Sequence, residues 1–98
     1  MRGVKAMAQD VWEQTVQVVN SLGLHARPAG KICQTAQRYA AEMTLETAAG
    51  TVDAKSILDI LTLAAPQGTW VRIRAQGPDA QDAVEAVVGL FAARFGEE

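Results

Sequence analysis

The stretch AEMTLE, residues 41–46, alternates at every position. Ala41, Met43 and Leu45 face one way, and Glu42, Thr44 and Glu46 face the other. Such a strand has one face for a core and one for water. TAAG (47–50) can turn, and TVDA (51–54) can return as the partner of a hairpin. TWVRIRA (69–75) repeats the pattern, with Val71, Ile73 and Ala75 set against Trp70, Arg72 and Arg74. TVQVV (15–19) places Val16 and Val18 on one face. Parallel strands buried on both faces would read as continuous apolar runs, and these do not. The expectation is a sheet covered on one side only, a two-layer α/β (α+β) sandwich.

Between the strands the period becomes helical. From Ala26 to about Ala40, the residues Ala29, Ile32, Cys33, Ala36 and Tyr39 or Ala40 recur on one face, with Lys31, Gln34, Gln37 and Arg38 off it. Pro28 suits a first turn, where its missing N–H costs little. SILDILTLAA (56–65) reads as a short apolar helix closed by Pro66 and Gly68. After the turn GPD (77–79), Asp79 is expected to cap a last helix, 80 to about 95, with Ala83, Val84, Val87, Leu90 and Phe91 inward. The order is βαββαβα.

Ninety-eight residues make one domain, and 49% hydrophobic composition is ordinary for a globular chain. The formal charge is −2, with Lys and Arg scattered, so nothing argues for nucleic acid. A single cysteine, Cys33, excludes an internal disulfide and reads as a small core residue. The start lacks the apolar run of a signal peptide, and no stretch has the length of a membrane span. These features fit a cytoplasmic protein with no membrane insertion. Residues 1–13 are expected to be a flexible N-terminal arm, and residues 14–98 the folded domain.

GLHARPAG, residues 23–30, holds the only histidine. A lone histidine at a helix start is usually just a polar surface residue. The neighbours argue for more. The first N–H groups of a helix have no helical acceptor, and the dipole adds positive charge, so such an end attracts anions. The amides of Ala26 and Arg27 occupy that end. Arg27 adds a fork of donors suited to phosphate. A neutral imidazole beside a phosphate cradle suggests covalent phosphorylation of a ring nitrogen. There is no second histidine or cysteine cluster for a metal, no assignable triad and no nucleotide loop. No metal or cofactor is expected, and another protein must supply the phosphate.

These residues resemble the active-site signature of the HPr family, the histidine-containing phosphocarriers of the phosphotransferase system. Gly23, His25, Arg27 and Pro28 are its fixed positions, and four such matches arise by chance on the order of once in 100,000 positions. The likeness runs from about Thr15 to Phe95 and includes VDAKSILDILTLAAPQGTWVRIRAQGPD. It implies an open-faced sandwich with a four-stranded antiparallel sheet and three helices on one face. It implies a monomer that is not itself an enzyme. Enzyme I, charged by phosphoenolpyruvate, would phosphorylate Nδ1 of His25, and the group would pass to EIIA-type proteins in sugar uptake or its regulation. Arg27 and the helix amides would hold the phosphate. NSLGLHARPA and the tail AVEAVVGLFAARFGEE look like NPr, the regulatory carrier of the nitrogen-related branch, whereas AKSIL is closer to sugar-branch HPr. Sugar-branch members commonly have Asn or Ser where this chain has Leu22. A fold-only interaction protein is a further alternative, and retention of both His25 and Arg27 speaks against it.

Ser56 has two readings. Ser56 and Asp59 have capping-box spacing, with aspartate in place of Glu or Gln. In many HPr proteins the matching serine is the target of an HPr kinase/phosphorylase. Asp59, a like charge within one turn, argues against that regulation here. Ile57, Leu58 and Leu61 cannot all enter one core, and the resemblance places this helix on the Enzyme I docking face. Ile57 and Leu61 are assigned to its rim. Gln34, Gln37 and Asp59 make the face less basic than in many sugar-branch carriers. Trp70, Arg72 and Arg74 read as an open sheet face with cross-strand pairing to Glu42 and Glu46.

Overall fold

The computed structural model describes residues 3–97; Met1, Arg2 and Glu98 lie outside the described residues. Strands β1 (Lys5–Ala8), β2 (Val11–Gln17), β3 (Glu42–Thr47), β4 (Gly50–Asp53) and β5 (Trp70–Gln76) form one sheet in the order β1-β2-β5-β3-β4. Every pairing is antiparallel. Helices α1 (Ala26–Ala36), α2 (Ile57–Thr62) and α3 (Ala80–Ala92) cover one face, and a 3-10 turn, Arg94–Gly96, follows α3.

The alternation sorts the strands as read. Met43, Leu45, Val71, Ile73, Ala75, Val16 and Val18 are buried with Ala29, Ile32, Ala83, Val84, Val87 and Phe91 from the helices. The other face stays open. Its Trp70 and Arg72 are exposed, and Arg72 lies 3.2 Å from Glu46 and 3.9 Å from Glu13. Arg72 sits opposite Glu46 in the β3–β5 register. Cross-strand pairing of this face holds for Arg72, with Glu46 and Glu13 as partners, whereas Glu42 stands opposite Gln76 instead of an arginine.

Among the described residues the sheet has five strands, not four. Residues 5–8 and 11–13, expected as arm, are paired strand, turned at Gln9 and Asp10 with Asp10 at φ 61°. Aspartate tolerates that left-handed conformation better than most residues. Val11 is buried, which anchors the beginning of β2.

All three helices end earlier than the periodic reading places them, α3 at Ala92 instead of about 95. Helix α1 stops at Ala36 instead of continuing to residue 40. The chain tightens there, with Arg38 N–H donating to Thr35 O and Tyr39 N–H to Ala36 O. Lys55 Nζ takes the Tyr39 carbonyl at 2.8 Å. Helix α2 ends at Thr62, because Ala65 is drawn away to accept from Leu24 N–H at 2.9 Å.

Asp79 does not cap α3 with its side chain. It stands at the N-cap position without a side-chain cap bond. Its carboxylate instead accepts Ala40 N–H at 2.9 Å and Ala41 N–H at 2.8 Å, tying the start of α3 to the entry of β3. The Ala40 N–H foremost holds the carboxyl below the ordinary aspartate value, aided by the Ala41 N–H and by the charge of Lys55.

Candidate functional site

The site begins with a tight turn. Gly23 N–H donates to Asn20 O at 3.2 Å, and Gly23 has φ +70°. A Cβ there would lie 2.4 Å from Ala65 O and 2.9 Å from Pro66 Cα. Only glycine meets both the conformation and the close approach. The turn delivers His25 to the N-cap of α1 in extended conformation, φ −77° and ψ −171°. Its carbonyl accepts Ala29 N–H at 3.0 Å, while Pro28 has no N–H to satisfy. The N–H groups of Ala26 and Arg27 have no helical acceptor. Ala26 and Arg27 are exposed, so this end of α1 faces solvent beside the imidazole.

The other side of the imidazole is occupied. His25 Nε2 lies 2.8 Å from Glu97 Oε1. The same oxygen accepts from Asn20 Nδ2 at 2.9 Å. Asn20 Nδ2 also donates to Gly23 O at 2.8 Å. Glu97 reaches this position through the turn after α3, where Arg94, Phe95 and Gly96 all have positive φ. Phe95 is buried edge-on against Phe91, with ring centroids 4.9 Å apart. Arg94 Nη1 donates to Val19 O, and Lys31 Nζ to Phe95 O. The hydrogen bond from His25 foremost lowers the Glu97 carboxyl below its ordinary value, with the Asn20 bond and the charges of His25 and Arg27 adding to it.

This geometry fixes a proton. An ionised carboxylate only accepts, so the ring nitrogen facing it must carry hydrogen. Neutral His25 is then the Nε2–H tautomer, and Nδ1 bears the lone pair.

Sequence reasoning placed His25, Ala26 and Arg27 together, and the structure does bring them to one point. It did not identify Asn20 or Glu97. Glu97 lies 72 residues from His25 and 77 from Asn20, and no spacing rule connects such positions. Ser56 stands apart from the histidine network. It is the N-cap of α2, with its Oγ accepting Asp59 N–H at 3.2 Å. Ile57 is 39% exposed and Leu61 half-buried; Leu58, at 73%, and Leu22, at 71%, are more exposed than either. Leu22, Leu61 and Pro66 join His25 around one shallow depression. Among the described residues no cluster of three or more His, Cys, Asp or Glu could hold a metal, and no helix is long and apolar enough to cross a membrane.

Residues 12–93 match the family described as "PTS HPr component phosphorylation site". The phosphocarrier protein HPr of Xylella fastidiosa is 43% identical over 86 residues, covering 88% of this chain and 97% of that protein. The phosphocarrier protein NPr of Klebsiella oxytoca is 42% identical over 87 residues, covering 88% and 97%. Among solved structures, HPr-C-His of Thermoanaerobacter tengcongensis superposes with a TM-score of 0.84 at 41% identity, covering 88% of this chain and 97% of that one. An HPr dimer from the same organism gives 0.71 at 39% identity, covering 84% and 94%.

Proposed function

The chain belongs to the HPr family of phosphocarriers, and we propose that it carries its phosphoryl group on Nδ1 of His25. Such a protein is a stoichiometric carrier, not an enzyme. The observation that carries the assignment of the atom is the contact between His25 Nε2 and Glu97 Oε1 at 2.8 Å. With hydrogen on Nε2, Nδ1 keeps the lone pair and is the nitrogen we assign as nucleophile, on the residue at the N-cap of α1.

In the accepting step the Nδ1 lone pair attacks the phosphorus of a phosphorylated donor. The N–P bond forms, the donor's bond to phosphorus breaks, and its electron pair leaves with the donor. The proton on Nε2 stays in place. Positive charge that develops on the ring faces the Glu97 carboxylate. The phosphoryl oxygens meet the Ala26 and Arg27 amides and the Arg27 guanidinium, where charge-assisted bonds are strongest. Transfer onward is the reverse step with an acceptor in place of the donor.

The donor we assign is Enzyme I charged by phosphoenolpyruvate, and the acceptors are EIIA-type proteins. Docking would use the apolar surface of Leu22 and Leu61 beside His25, together with Ile57 and Leu58 on the same helix as Leu61. Incubation with phosphoenolpyruvate and Enzyme I should add one acid-labile phosphate by intact mass, and none to His25→Ala. Equal labelling of both proteins would refute the assignment.

A second reading, a regulatory carrier of the nitrogen-related branch, is supported by Leu22, an exposed leucine directly before Gly23. Faster labelling by nitrogen-branch than by sugar-branch Enzyme I would select it. Ser56 belongs to the same question. Phosphorylation by an HPr kinase/phosphorylase would have to displace its cap bond to Asp59 N–H. Incubation with that kinase and ATP reads whether Ser56 takes phosphate.

A further inference from the structure

We infer that Asn20 is a positioning residue for the carrier chemistry: its side-chain amide holds Glu97 against Nε2 of His25 and so selects the ring nitrogen that reacts. The inference rests on the phosphocarrier reading of His25 and concerns a residue outside the GLHARPA signature.

Asn20 is fully buried. Its Nδ2 spends one proton on Gly23 O at 2.8 Å and one on Glu97 Oε1 at 2.9 Å. Its Oδ1 is buried and has no hydrogen-bond partner among the described residues. An unpaired buried oxygen is a cost to folding. Stability alone therefore does not account for an amide here. Its use lies in the two donors. One closes the turn before His25, and the other fixes the carboxylate that faces the imidazole.

The two acceptors belong to segments distant in sequence, so Asn20 joins the entry of α1 to the segment that follows α3. No other single side chain of this size fits the task. Aspartate would set a carboxylate against Glu97 and against Gly23 O. Serine has one donor and a shorter reach. Without the amide, the imidazole it is meant to orient is the one remaining hydrogen-bond partner of the Glu97 carboxylate among the described residues. The neutral ring is then free to place its proton on either nitrogen.

The test reads the tautomer directly, from the ring nitrogen NMR shifts of the full chain at a pH where His25 is neutral. Wild type should show one tautomer, with hydrogen on Nε2. Asn20→Asp and Asn20→Ser should both shift toward a mixture, as should Glu97→Ala. Adding Asn20→Ser to Glu97→Ala should change the tautomer no further, because Asn20 acts through Glu97. Phosphoryl acceptance should slow on the order of tenfold in the Asn20 variants. A folded Asn20 variant with wild-type ring shifts would overturn the inference, and so would a further shift in the double variant. A purely structural role would lower the melting temperature and leave the tautomer alone.

If neither Asn20 variant folds, wild type and Glu97→Ala still decide. One Asn20 Nδ2 proton should lose its protection from solvent exchange when Glu97 is removed, and unchanged protection would overturn the inference. Failure of wild type to accept phosphate at all would instead refute the carrier reading, whatever the tautomer.

Discussion

At the scale of the residue, the site depends on positions that tolerate little change. Gly23→Ala would hold a non-glycine residue at φ +70° with its Cβ 2.4 Å from Ala65 O. The loss should be at least about 1 kcal/mol in urea unfolding, and phosphoryl acceptance should fall with it because the turn delivers His25. Arg27 is exposed and supports no core packing. Arg27→Ala should keep the wild-type melting temperature and slow transfer about tenfold to a hundredfold, the worth of a charge-assisted hydrogen bond. Asp79 offers a pH test. Its carboxyl is held below the ordinary value, foremost by Ala40 N–H. Its contribution is thus complete above the unfolded-state pKa and is lost as pH falls through the lower folded-state value. Asp79→Asn should be less stable than wild type near neutrality, and the gap should close in acid. A gap independent of pH would remove the carboxylate from the argument.

Elements show which parts of the fold could be read from the chain. Strand periodicity survived because one face of the sheet is covered and the other wet, so Met43, Leu45, Val71 and Ile73 are marked by alternation alone. Helix ends were less legible. Nothing local in SILDILTLAA says that Ala65 must leave α2 to accept Leu24 N–H. Likewise GPD announces a cap, while the Asp79 carboxylate bonds 38 and 39 residues away. Strand β1 was missed because its four residues are all exposed and show no apolar period. The start of α2 was legible, since serine three residues before an acid is a local signal. Ser56→Ala should cost about 1 kcal/mol, read by urea unfolding. An unchanged midpoint would mean that the Ser56–Asp59 bond adds nothing to stability.

At the scale of the whole molecule, the sheet and helices bring Glu97, after α3, to the start of α1. The first half of the site, His25 with Ala26 and Arg27, was written in seven consecutive residues. The second half, Asn20 with Glu97, exists only once the chain is folded, with Phe95 seated in the core. Exposed Leu58 on α2 makes a further prediction at this scale. Leu58→Lys should leave stability within about 0.5 kcal/mol, because the side chain is 73% exposed, and should raise the concentration of Enzyme I needed for transfer. The carrier chemistry depends on one atom, Nδ1 of His25. NMR of the phosphorylated chain, with labelled histidine, identifies the ring nitrogen bonded to phosphorus. A single phosphoryl group on Nδ1, with hydrogen still on Nε2, is the predicted result. Phosphate on Nε2, the nitrogen held by Glu97, would contradict it.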